Sequence, residues 1–384
     1  MKTRFFPQCL LLVVILSLVS LANAADTVRH VTARTPAVAP TRELGADRAK
    51  QNSPHESGIV SRTANPWKLL ATIPGAVIHD IAFPTAKIGY AVAEGGQVWK
   101  TTNGGANWSE VLNANYPYYF YGVKALSPTD LVISGIYDSS TFYGLIRWSH
   151  DGGQTWSSDI QLTSTAFVQR VRFSSANNGL VMDLDDRATN SAYYTTDGGA
   201  GASDWTTVDD NPDGGWFGLE YSLLSNQHAR ASGINFCTSM DGGADWNCGP
   251  SIDSVFDGPV FFSNDTDGWV GGGEISPNVE GWLHRTTDGG QTWSGRVLDG
   301  PWPIREIFFL TPQIGWAAGG NIYSGVGGIY FSSNGGQTWS LDVDTGHEMD
   351  ACAGGHIGNQ AQIWCAGYDS SFNGVVYTLQ GTLP

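Results

Sequence analysis

Near copies of the nine-residue run Arg285-Thr286-Thr287-Asp288-Gly289-Gly290-Gln291-Thr292-Trp293 recur along this chain, and they constrain its fold more than any other feature. The core of each copy is Asp or Asn, then Gly-Gly, a short spacer, and Trp. The copies run from Asn103 to Trp108, Asp151 to Trp156, Asp197 to Trp205 (three residues longer), Asp241 to Trp246, Asp288 to Trp293 and Asn334 to Trp339. Successive first residues lie 48, 46, 44, 47 and 46 residues apart. A fixed period in this range marks a solenoid, a propeller or an array. Asp or Asn before glycine can bond its own backbone two residues on, and Gly-Gly supplies positive φ without steric cost. Polar Thr and Ser pairs before the turn and a large aromatic after it describe two strands around a hairpin. Each unit therefore reads as β, which favours a propeller, with the Trp anchored on its own blade.

Seven such periods fit between Pro66 and Pro384. The seventh, from about His347, has no turn motif and is short of one strand. Trp67 to Ile73, ahead of the first unit, can supply it. The expected fold is all-β: a seven-bladed β-propeller of four-stranded blades, closed by N- and C-terminal strands in the last blade, which removes the open sheet edge.

The turn motifs resemble the Asp-box (BNR) repeat. The strands Ile88-Gly89-Tyr90-Ala91-Val92, Asp267-Gly268-Trp269-Val270-Gly271 and Ile314-Gly315-Trp316-Ala317-Ala318 precede their boxes in a way similar to the photosystem II stability/assembly factor family. The resemblance covers residue 66 to the C-terminus. It implies an exported seven-bladed propeller that acts as a non-catalytic binding scaffold, with a protein or a glycan as ligand and no cofactor. The alternative is a secreted glycan-active enzyme of glycoside hydrolase or sialidase type, using carboxylates on the propeller face. Sialidases share the boxes, but their Arg-Ile-Pro segment is absent, and xyloglucanases join two propellers where this chain has one.

Ahead of the repeats, Lys2 and Arg4 precede an apolar run from Cys9 to Leu21 and a small-x-small site at Ala22-Asn23-Ala24. Residues 1–24 read as a signal peptide, which leaves no transmembrane segment after cleavage and implies a secreted or periplasmic protein. Residues 25–65, rich in Thr, Ala, Pro and Ser without apolar periodicity, read as a disordered linker. The propeller, 66–384, holds 12 Lys and Arg against 32 Asp and Glu, a balance of −20. Nucleic acid is a poor partner for so acidic a surface. A monomer is expected.

Four cysteines remain after the signal. Cys237 and Cys248 are placed symmetrically about one box, and Cys352 and Cys365 symmetrically about Ile357 to Gln360, so two local disulfides are expected, Cys237–Cys248 and Cys352–Cys365.

Ligands of propellers meet the face where the innermost strands begin. Tyr116, Tyr118, Tyr119 and Tyr121 lie in the loop ahead of one such strand, Trp216 ahead of another and Trp302 ahead of a third. Aligning the innermost strands on Phe83, Phe173, Phe262 and Phe309 puts Asp80, Arg170 and Glu306 at one equivalent position, and Glu220 with them if Leu223 takes the Phe place. Carboxylates, an arginine and aromatic faces suit a sugar or a peptide. The expected ligand contacts are Asp80, Tyr119, Arg170, Trp216, Glu220, Trp302 and Glu306, with no catalytic residue and no metal site. Asp183, Asp185 and Asp186, and the group His347, Glu348 and Asp350, are two further acidic clusters.

Overall fold

The computed structural model describes residues 67–162, 168–183, 192–208, 220–233, 235–249, 252, 257–274, 279–357 and 360–381. Residues 1–66, with the expected signal and linker, lie outside them, as do Trp216, Asp185 and Asp186. The described strands form seven four-stranded antiparallel sheets, in line with the expected fold class.

Blades 1 to 6 each run from inside to outside in chain order. Their inner strands are Ile78–Ala82, Tyr118–Ala125, Val168–Phe173, Glu220–Leu223, Asp257–Phe262 and Ile304–Phe309. Blade 7 is built from Glu348–Ile357, Gln360–Tyr368 and Gly374–Gly381, and its fourth strand is the first of the chain, Lys68–Ile73. Lys68 pairs with Thr378 and Ile73 with Gly374, so the ring is closed by strand pairing. Among the described residues no helix is long and apolar enough to cross a membrane.

The turn motif works as a small hydrogen-bonded unit. At the first copy Gly104 and Gly105 stand at φ 74° and 93°, the left-handed region that glycine enters freely. The Gly105 N–H donates to Thr101 Oγ1 (2.9 Å), the Asn107 N–H to Asn103 Oδ1 (2.9 Å) and the Trp108 indole to the Gly105 carbonyl (2.9 Å). The indole-to-carbonyl bond recurs from Trp156, Trp205, Trp246 and Trp339 at 2.9–3.2 Å. The longer third copy takes up its extra residues in a 3-10 turn, Ala202–Asp204.

Packing between blades repeats as well. The Phe that ends or follows an inner strand is held by its own blade's box Trp and by an aromatic of the preceding blade. Phe83 meets Trp108 edge-on at 5.9 Å and stacks on Trp364 at 3.8 Å. Phe309 meets Trp339 edge-on at 5.7 Å and stacks on Trp269 at 4.1 Å. Six residues after each Phe comes the glycine that opens the second strand. A Cβ on Gly89, Gly179, Gly268 or Gly315 would lie 2.4–2.6 Å from that ring, so the Gly-aromatic pattern of these strands is set by the Phe lying against the backbone.

Both expected disulfides are present, and each joins directly paired residues of neighbouring strands. Replacing Cys352 and Cys365 together with Ser removes a cross-link closing 13 residues. The loss expected from that loop length is about 3 kcal/mol, read as a lower thermal midpoint. A midpoint equal to the parent's would show that the bridge adds nothing to stability.

Candidate functional site

Inner strands of a propeller line its axis, so their side chains face one another across the ring. Here a second device decides which of them meet. In blade 1 Ile78 pairs with Ala93 and Asp80 with Val92, which leaves His79 as an extra, bulged residue. The same bulge leaves out Tyr121 in blade 2, Arg305 in blade 6 and Asp350 in blade 7. A bulge re-aims the side chain it carries. The ring therefore holds two layers of polar residues: the bulged one, with His79, Tyr121, Arg305 and Asp350, and the position after it, with Asp80, Arg170 and Glu306.

Arg170 dominates the second layer. From blade 3 its Nη1 donates to Glu306 Oε2 of blade 6 (2.7 Å), and its Nη2 donates to the carbonyls of Asp350 in blade 7 (2.6 Å) and His79 in blade 1 (3.5 Å). One side chain thus links four blades. Asp80 lies apart from this pair: its Oδ2 accepts the Val123 N–H (3.0 Å) and stands 3.7 Å from Arg172 Nη1, and its Oδ1 accepts the Ile81 N–H (2.9 Å). Below it Lys124 has its pKa lowered by burial and by Arg172, against the pull of Asp80.

The bulged layer is charged too. The His79 imidazole lies 3.6 Å from both Glu94 and Asp350 and tilts against Tyr121 at 4.9 Å. Burial alone would lower its pKa, but Asp350 and Glu94 outweigh burial and bring it up to about 9. Glu348 is wholly buried, 3.4 Å from Arg305 Nε. Burial pushes its carboxyl up to about 8 in spite of Arg305. Tyr368 is pushed up by burial first and then by Asp350 and Glu348.

The His79 shift has a measurable consequence. A group whose pKa is higher folded than unfolded stabilises the fold fully below its unfolded pKa, and that stabilisation is lost as pH rises through the folded value. For His79 the window is pH 6.5 to about 9. Stability should fall across it, and His79→Asn should flatten the profile in that window. An unaltered slope would show that His79 does not carry the dependence.

The other anticipated contacts are placed as follows. Tyr119 is 7% exposed and packs in its blade, with Tyr116, 72% exposed, edge-on to it. Trp302 is half-buried beside Tyr330 (6.4 Å). Glu220 opens the inner strand of blade 4, opposite Ser232. Among the described residues no group of three or more His, Cys, Asp or Glu side chains could hold a metal. His79, Glu94, Lys124 and Tyr368 escaped the sequence reading. His79 escaped because it is re-aimed by a bulge, which is visible only in the pairing of the strands.

A seven-bladed β-propeller whose axis is crossed by a charged network is the class these observations define. Among solved structures the chain is similar to YCF48 bound to a D1 peptide, with 18% identity, a TM-score of 0.60, and 84% of this chain and 99% of the other covered. It is similar to YCF48 from Cyanidioschyzon merolae with 20% identity, a TM-score of 0.59 and 82% and 98% coverage. A GH74 enzyme of Niastella koreensis follows at 15% identity and a TM-score of 0.54, with 78% of this chain and 53% of the enzyme covered. At these identities the likeness concerns the fold. No protein-family model and no curated protein matches the chain.

Proposed function

We propose that the protein is an exported, monomeric binding scaffold without catalytic activity, and that it holds a segment of a partner protein on the face where the inner strands begin. The observation that carries this reading is the Arg170 cross-link. Hydrolysis of a glycoside needs two carboxyl groups flanking the bond, one to give a proton and one to act as base or nucleophile. Here Glu306 is engaged by Arg170, Asp80 accepts backbone N–H groups and faces Arg172, and Glu348, the one carboxyl among the described residues with a raised pKa, has no exposed surface. The two YCF48 structures, matched over nearly their whole length, add support, one of them in complex with a peptide. Residues 1–24 as a signal peptide and the two disulfides support export, since disulfides persist in oxidising compartments.

The test is a paired screen of the full chain against a peptide array and a glycan array, with the mass of every bound species measured afterwards. Peptide binding without a change of mass is the expected result. A shortened glycan among the products would overturn the scaffold reading. Glycan binding without turnover, and no peptide bound, would replace the protein ligand with a glycan.

A further inference from the structure

The upper end of blade 2 carries a cluster that the channel network does not use. Tyr118 lies edge-on to Tyr137 at 4.9 Å, and Tyr137 stacks on Tyr143 at 4.9 Å and 14°. Asp159 ties the group together. It accepts hydrogen bonds from the hydroxyls of Tyr118 (3.2 Å) and Tyr143 (3.0 Å) and from Arg147 Nε (2.5 Å). The Arg147 guanidinium lies 4.6 Å from the centre of the Tyr118 ring, so one face of this cluster already holds a cation. Burial and Asp159 push the Tyr143 hydroxyl's pKa up, which keeps it a proton donor.

Two residues ahead of Tyr118, Tyr116 is the most exposed large hydrophobic residue of the described chain at 72%, and it lies edge-on to Tyr119 at 6.3 Å. One part-exposed carboxylate, Asp138, belongs to the same rim. The Asp138 N–H donates to the Pro117 carbonyl (2.9 Å), which brings residue 138 alongside residues 116–118. Arg147, the basic residue in this group, is paired with Asp159.

We propose that Tyr116 and Asp138, where the inner strand of blade 2 begins, dock an extended, arginine- or lysine-bearing segment of a partner protein, with a cationic side chain on the Tyr116 ring and Asp138 beside it. The proposal rests on the scaffold reading and names the chemistry of its ligand. Cations bind ring faces, and arginine, the more weakly hydrated of the two, stacks on them readily. A propeller of charge −20 draws a basic segment from solution and repels an acidic one.

Fluorescence anisotropy on the full chain tests this with three labelled peptides of equal length: an arginine–glycine repeat, its citrulline counterpart and a glutamate–glycine repeat. The arginine peptide is expected to bind, more weakly as salt rises, and the other two not to. Tyr116→Ala and Asp138→Asn should each weaken it by roughly 3- to 10-fold, with the melting temperature unchanged. Tyr116→Phe should keep the affinity, because the ring remains. Equal binding of the arginine and citrulline peptides would overturn the proposal. So would an arginine affinity indifferent to Tyr116→Ala, which would mean attraction to the acidic surface as a whole. If none of the three binds while the peptide array yields other ligands, this surface is refuted and the scaffold reading stands. Capture of a neutral glycan through Tyr116 in place of the peptide would also refute it.

Discussion

Arg170→Met should destabilise the propeller by about 3–5 kcal/mol, the usual cost of removing one partner from a buried pair. The variant leaves Glu306 without its 2.7 Å partner and the Asp350 carbonyl without its 2.6 Å donor, both close to the axis. The readout is the thermal midpoint at neutral pH. Arg170→Met combined with Glu306→Leu should recover much of the loss, because the carboxylate that lost its cation is removed as well. If the single variant melts with the parent, the side chain does not brace the ring. The channel would then be open to a ligand at this level, and the argument against paired carboxylates would fall with it.

Trp364→Ala should cost about as much, roughly 3–5 kcal/mol for a buried Trp. Trp364 is 2% exposed, stacks on Phe83 at 3.8 Å and donates its indole N–H to the Gly104 carbonyl at 2.8 Å. It belongs to blade 7, whereas Phe83 and Gly104 belong to blade 1, so the substitution opens a hole at the join where the ring closes. Trp364→Phe separates the two contributions, since it keeps ring packing and loses a hydrogen bond worth about 1 kcal/mol. Leu341→Ala, at a half-exposed outer-strand position, serves as the control and should change stability by less than about 0.5 kcal/mol. Equal melting of Trp364→Ala and that control would show that the blade 7–blade 1 contact is not where the ring is held.

The fold was legible because its signals are local. Each box carries its own turn, its glycines and its Trp within a few residues, and the repeat period counts the blades. The disulfides were legible for the same reason, since each joins two strands of one hairpin. The closing strand could be assigned from the deficit of blade 7. The channel is another matter. Asp80, Arg170 and Glu306 share a position in the repeat, yet Arg170 pairs with Glu306 across the ring while Asp80 faces Arg172 of the Arg170 strand, a choice of partners made by side-chain reach around the axis that the repeat does not encode. His79 and Asp350 converge through bulges that no spacing announces. Tyr119 shows a further limit. The run from Tyr116 to Tyr121 reads as an aromatic loop, but the strand begins at Tyr118, and its alternation turns Tyr119 into the blade and leaves Tyr116 outside. Burial within a blade depends on where a strand starts, and strand starts are the least certain feature of a sequence.

The pairing of Lys68–Ile73 with Gly374–Gly381 also fixes an order of events during synthesis. Ile73 must wait for Gly374, some 300 residues later, before its edge is covered. The blades between them can form as they emerge, each from contacts close in sequence, while the first strand stays an unpaired β-edge throughout. Closure is therefore the last step available to the chain, and until then a ribosome or a translocation channel holds a molecule with both ends of its sheet system open. The interval is the one in which a neighbouring chain could supply the missing strand instead, giving an exchanged dimer in place of a closed ring.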